Sequence, residues 1–149
     1  WFSGPLLLSG AISTGGALLA AKVLGADLGY IGSPFIATEE ANASDAYKDM
    51  IVAGGAEDII TSSLFTGVSG NYLRGSIAKV GLDPDNLAPA DPETMDFAGA
   101  MAEAKAWRDI WGSGQGIGAV KGVEPVEDLV ARIAAEYRAA LREAQRLSA

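Results

Sequence analysis

This sequence predicts an α/β fold, on three observations from its first forty residues. Two short apolar runs, Leu6-Leu7-Leu8 and Leu28-Gly29-Tyr30-Ile31, lack polar alternation, as do strands of a parallel sheet buried on both faces. Each run stops at a turn of small residues, Ser9-Gly10-Ala11 and Gly32-Ser33-Pro34. Between them lies an apolar stretch of helical character, Leu18 to Leu24, ended by Gly25. Two such strand-turn-helix units in tandem suit the last two units of a (β/α)8 barrel, where the final loops grip a phosphate. They suit an ordinary βαβ crossover with tight glycine turns equally, and the spacing leaves both open. The turns are neither GxGxxG nor a Walker loop.

At Ser9-Gly10-Ala11 the side chains are absent or tiny, so a ligand can approach the backbone N–H groups, and the next helix points its positive end at the same place. Ser13 or Thr14 caps that helix. After the second turn, Thr38-Glu39-Glu40-Ala41 starts a further helix running from Glu39 to Gly54, with Ala46, Tyr47, Met50 and Ile51 on one side. Asp58 to Ser63 is short and β-prone, an extra strand outside a barrel. Gly67 to Gly70 reads as a loop, after which Asn71 caps a short helix from Tyr72 to Val80 with Leu73, Ile77 and Val80 as its stripe. The run from Leu82 to Pro92 is a proline and aspartate loop.

Phe97, Met101, Ala104, Trp107 and Trp111 then fall on one helical face, either as core or as an aromatic wall over a cofactor. Gly112-Ser113-Gly114-Gln115-Gly116-Ile117-Gly118 alternates glycine with other residues, which allows close backbone approach, and Gln115 offers both a donor and acceptors. Pro125 opens a long covering helix as its first residue, with Val126, Leu129, Val130, Ile133, Tyr137, Leu141 and Ala144 along one stripe. Its Arg132, Arg138, Arg142 and Arg146 alternate with Glu127, Asp128, Glu136 and Glu143, the pattern of a solvated face.

Composition excludes several functions. The net charge of −8, from 19 acidic and 11 basic residues, repels nucleic acid and anionic membranes. With no histidine and no cysteine, the chain offers neither a thiolate nucleophile nor the usual zinc ligands, so no metal site is expected. Glycine and charges interrupt every apolar run before it reaches the length of a membrane span, and a cytoplasmic protein is the expectation. The 149 residues fall short of the about 250 of a complete barrel, and the chain starts at Trp1 just before a strand. The expectation is therefore a C-terminal portion whose unpaired strand edges meet a missing N-terminal barrel portion or a further copy in a homo-oligomer.

LLLSGAISTGG followed by LGADLGYIGSPFIATEEA resembles the nitronate monooxygenase (2-nitropropane dioxygenase) family, in which an "AGGI…DG" turn precedes "LGA…GTRFLATEE". The likeness continues through Tyr47-Lys48, Phe65-Thr66-Gly67 and Trp111-Gly112-Ser113-Gly114-Gln115-Gly116. It implies an FMN-dependent (β/α)8 barrel with the FMN phosphate on backbone N–H groups of the last two strand-end turns. The cofactor-binding residues it implies are Ser9, Gly10, Ala11, Gly32 and Ser33, with Asn71, Tyr72 and Gln115 as candidate pocket residues. Ala11 stands where the family has a second glycine, its N–H being equally able to donate if φ stays negative, and Pro34 stands where the family has arginine.

Residues 1–54 would be the last two βα units with the phosphate site, and 55–149 a mostly helical extension packed on the barrel. The implied reaction is oxidative denitrification of alkyl nitronates or nitroalkanes with dioxygen. The family's proposed catalytic base is a histidine upstream of this segment, so no catalytic residue is assigned here. Two alternatives remain at this stage. One is an FMN- and NAD(P)H-dependent enoyl-acyl carrier protein or quinone reductase of the same fold, and the other a non-catalytic fragment.

Overall fold

Strand β1 (Leu7–Ser9) and strand β2 (Leu28–Tyr30) pair in parallel, with Leu7 opposite Leu28 and Ser9 opposite Tyr30. Helix α1 (Gly15–Val23) connects them. The computed structural model describes residues 2–87 and 108–147. Thr14 rather than Ser13 caps α1, its Oγ1 accepting the Ala17 N–H at 3.2 Å. At the other end Gly25 takes φ +97°, and the Gly25 and Ala26 N–H groups turn back to the carbonyls of Lys22 and Ala21. That is a Schellman stop, for which glycine is the natural residue.

The strands differ from the expectation of burial on both faces. Leu7 is 51% exposed, Leu28 55% and Tyr30 63%. One side of the ribbon is covered by α1, where a Cβ at Gly29 would lie 2.3 Å from Leu18 Cδ1. Ile12, Ala21 and Ala26 are buried on that side, with Leu18 and Ile31 against them. On the other side nothing within the described residues covers Leu28 and Tyr30, so an apolar face stands open to water.

The second correction concerns the helix expected from Glu39 to Gly54. A single helical turn, α2 (Ser33–Ile36), comes first, and α3 begins only at Asp45 and ends at Ala53. Side chains hold the intervening segment out of the helix. The Thr38 hydroxyl donates back to Phe35 O at 2.8 Å, Glu39 N–H donates to Glu124 O, and the Glu40 carboxylate accepts the Val126 N–H at 3.0 Å. Ser44 then supplies the N-cap, accepting from Tyr47 N–H.

A third difference follows. Gly70–Leu73 is strand β4, antiparallel to β3 (Ile59–Ser62), and helix α4 starts only at Arg74 and ends at Lys79. Asn71 therefore caps nothing. Its Oδ1 accepts from Thr61 Oγ1 at 2.6 Å across the hairpin. A further bridge sets Tyr72 opposite Gly112 and brings the glycine segment alongside β4, with Leu73 N–H on Trp111 O and Ser113 N–H on Asn71 O.

The larger core gathers Ala37, Ile51, Leu73, Ile117 and Val120, with Tyr47 and Trp111 packed against it. Tyr47 and Trp111 stack at 4.9 Å. Burial holds the Tyr47 phenol above its ordinary pKa, so it stays protonated and donates to the Gly112 carbonyl. The aromatic stripe expected at Phe97, Met101, Ala104 and Trp107 lies outside the described residues, as does the proline run from Ala88 onward. Helix α5 (Val126–Leu147) begins one residue after Pro125 and buries Leu129 and Ile133, while Val130 is exposed. Among the described residues no helix is long and apolar enough to cross a membrane.

Candidate functional site

The turns that follow β1 and β2 face one cleft of about 320 Å³, closed on a third side by the glycine segment. Ser9, Gly10 and Ala11 come from the first turn, and Gly32 and Ser33 from the second. The segment from Gly112 to Gly114, with Gly116, forms the third wall, and Asn71 reaches it from β4. All five residues expected at the strand-end turns thus line one space. No described residue lining it carries a charge.

Of the three candidate pocket residues only Asn71 lines the cleft. Tyr72 does not, because the strand pairing turns its ring edge-on to Phe65 at 4.8 Å. Gln115 also stands outside the lining, joined to it through Asn71, whose Nδ2 donates to Gln115 Oε1 at 3.4 Å.

Backbone approach is what the geometry allows. A Cβ built on Gly10 or on Gly32 would meet no atom within 4 Å, so the space beside both backbones is open to a ligand. Gly116 is the opposite case, since a Cβ there would sit 2.4 Å from Ser13 Oγ and 2.8 Å from Ala11 O. Only glycine lets the third wall approach the first turn so closely. Ser33 Oγ accepts the Gly114 N–H at 2.9 Å and ties the second turn to the third wall. That bond uses an oxygen lone pair and leaves the hydroxyl proton for another acceptor.

Two expectations about the anion site are corrected. The first turn of α1 is not left free to face a ligand, because Gly15 N–H donates to Glu136 Oε2 at 2.8 Å and Ala17 N–H to Thr14. Arg132 holds Glu136 in turn at 3.0 Å. Hydrogen bonding to Glu124, opposed by partial burial and reinforced by Glu136, raises the Arg132 pKa further. The positive end of α1 is thus answered by a carboxylate of α5.

The second correction is Ala11, whose φ is +52° rather than negative. The turn takes positive φ at Gly10 and Ala11 in succession, and only the glycine does so without cost. Ala11→Gly is expected to stabilise the protein by about 0.5–1 kcal/mol. Relief of about 1–2 kcal/mol of left-handed strain exceeds the entropy glycine adds to the unfolded chain, which is worth about 0.4–1 kcal/mol. Urea midpoints of the two proteins check this, and a lower midpoint for the glycine variant would contradict it.

The sequence pattern places Ser113 in the glycine run and assigns it no role. It lines the cleft, is 8% exposed, and its Oγ has no hydrogen-bond partner among the described residues. The signal available in the sequence was a hydroxyl set between two glycines. What could not be read was the bridge to β4 that carries it to the turns.

The cleft lies at the carboxyl ends of adjacent parallel strands, the place where open α/β proteins as a class bind their ligands. Comparison with known proteins narrows this. The family model described as nitronate monooxygenase matches residues 2–136, and the chain belongs to that family of flavin-dependent oxidoreductases. The nitronate monooxygenase of Paraburkholderia phytofirmans is 25% identical over 146 residues, covering 93% of this chain and 39% of that protein. Among solved structures, nitroalkane oxidase from Streptomyces ansochromogenes matches with a TM-score of 0.70 at 25% identity, over 95% of this chain and 42% of that one. FabK from Thermotoga maritima matches with a TM-score of 0.76 over 98% of this chain and 48% of that one, and at 20% identity the likeness is one of fold. This chain thus spans well under two thirds of each of these proteins.

Proposed function

We propose that this chain is the FMN-phosphate-holding part of a nitronate monooxygenase-like enzyme, formed by the last two βα units of a (β/α)8 barrel and the extension packed on them. The observation that carries the reading is the convergence of Ser9-Gly10-Ala11 and Gly32-Ser33 on one uncharged cleft whose walls leave open space beside two glycine backbones. Residues with these properties fit a phosphate held by N–H groups and hydroxyls. Ser33 would add its remaining hydroxyl proton. When bound, the flavin supplies the electron transfer between an alkyl nitronate and dioxygen.

The residues present here bind and orient. With no histidine in the chain, the proton transfer of nitroalkane oxidation falls to a base outside it. The open faces of Leu7, Leu28 and Tyr30 support the companion proposal that further barrel strands cover this ribbon. The test is oxygen uptake with an alkyl nitronate, run beside NADH oxidation with a quinone or an enoyl thioester, on the polypeptide that supplies those strands. Nitronate-dependent oxygen uptake with release of nitrite is the expected result. NADH oxidation without it would move the protein to the reductases of the same fold.

A further inference from the structure

We infer that Ser113 is a ligand-binding residue of the cleft, its hydroxyl donating to a phosphate oxygen of the molecule bound there. This deepens the reading of the cleft as a phosphate site and rests on it.

Three observations meet at this residue. Ser113 lines the cleft, yet its Oγ is shut off from water and pairs with no group among the described residues. A buried hydroxyl without a partner is costly, and native proteins leave few of them. Other small polar groups nearby are satisfied: Ser33 Oγ accepts from Gly114, and Ser76 Oγ bonds both Leu73 O and Trp111 N. Among the described residues Ser113 is the exception, and it adjoins a cleft that can hold a partner.

The backbone around it is fixed. Ser113 N–H donates to Asn71 O at 3.1 Å, and the next residue, Gly114, is tied to Ser33. The side chain can therefore turn about a single bond while its Cα stays in place. The partner's chemistry follows from the walls. No charged side chain lines the cleft, so an oxyanion in it draws only on N–H groups and hydroxyls, and each one counts. Tethering through Gly114 also sets Ser113 beside Ser33, on the side of the second turn, which is the phosphate side in the reading above.

The experiment is a titration with FMN of the polypeptide that also supplies the covering barrel strands, followed by quenching of flavin fluorescence, for the native protein and for Ser113→Ala. It is repeated with riboflavin, which lacks the phosphate, and with inorganic phosphate as competitor. Thermal unfolding of both ligand-free proteins accompanies it. The expected result is a 10- to 100-fold weaker FMN complex for Ser113→Ala, about what a hydrogen bond to a charged acceptor is worth, with riboflavin binding unchanged and phosphate a poorer competitor.

Ligand-free Ser113→Ala should unfold at the same temperature as the native chain or higher, because it loses an unsatisfied hydroxyl. A serine with a merely structural role would instead lower it, and that would overturn the inference. Equal FMN affinity in the two proteins would overturn it while leaving the cleft assignment standing. Equal weakening of FMN and riboflavin would assign the hydroxyl to the flavin ring and overturn the phosphate contact. If that native polypeptide bound neither FMN nor phosphate, the reading of the cleft would fall first, and the inference with it.

Discussion

Gly15→Ala should destabilise the protein by about 2–3 kcal/mol, in the upper range for an overpacked contact. A Cβ at this position would lie 2.1 Å from Tyr137 N and 2.2 Å from Ile133 O. Both are backbone atoms of α5, so no side chain can swing aside, and the two helices would have to separate. Separation also breaks the bond from Gly15 N–H to Glu136. The higher helix propensity of alanine returns about 1 kcal/mol at most and does not change the sign. Gly16→Ala is the control, because its Cβ would meet only Thr14 Oγ1 at 3.9 Å, and it should be neutral or slightly stabilising. Thermal unfolding of the pair decides the matter. Equal melting temperatures would mean that α1 and α5 are not in backbone contact.

Gly32→Val should abolish measurable flavin retention while leaving the fold intact. At φ −117° the backbone admits any residue, and no atom stands within 4 Å of the position a Cβ would take. A branched side chain therefore fits the protein and fills the cleft. Ser33→Ala is expected to be milder. It removes a hydroxyl worth about 1 kcal/mol as a hydrogen bond and up to 3 with a charged acceptor. It also loosens Gly114, which Ser33 Oγ holds. Absorbance after desalting compares the three proteins. Full flavin on Gly32→Val would place the phosphate elsewhere.

The sequence signalled the turns more clearly than the elements between them. Ser9-Gly10-Ala11 and Gly32-Ser33 were legible as turns because runs of small residues end the two apolar stretches, and the parallel pairing of Leu7 with Leu28 follows from the two unalternated runs. What it obscured was set by distant partners. Glu39 to Ser44 has good helix formers, but Glu39 and Glu40 are spent on the backbone at Glu124 and Val126, and no local pattern reveals that. Gly70-Asn71-Tyr72-Leu73 runs into a helix without a break, so its strand pairing with Ile59 to Ser62 was hidden. The positive φ of Ala11 was invisible as well, since alanine rarely adopts it. Ser113 was in view, but its place in the cleft depends on that hairpin.

The ties that hold the cleft and the elements around it have one property in common, which is the length of chain they enclose. Ser33 and Gly114 are 81 residues apart, Glu40 and Val126 are 86 apart, and Gly15 and Glu136 are 121 apart. Contacts of such separation carry the loop-closure entropy of long stretches of chain and form late in folding. On a ribosome the order is stricter still. The two strand-end turns emerge before their third wall and before the helix that braces α1. The turns therefore wait, half-walled, until residues as far along as Glu136 have left the exit tunnel, and ligand binding has to follow them.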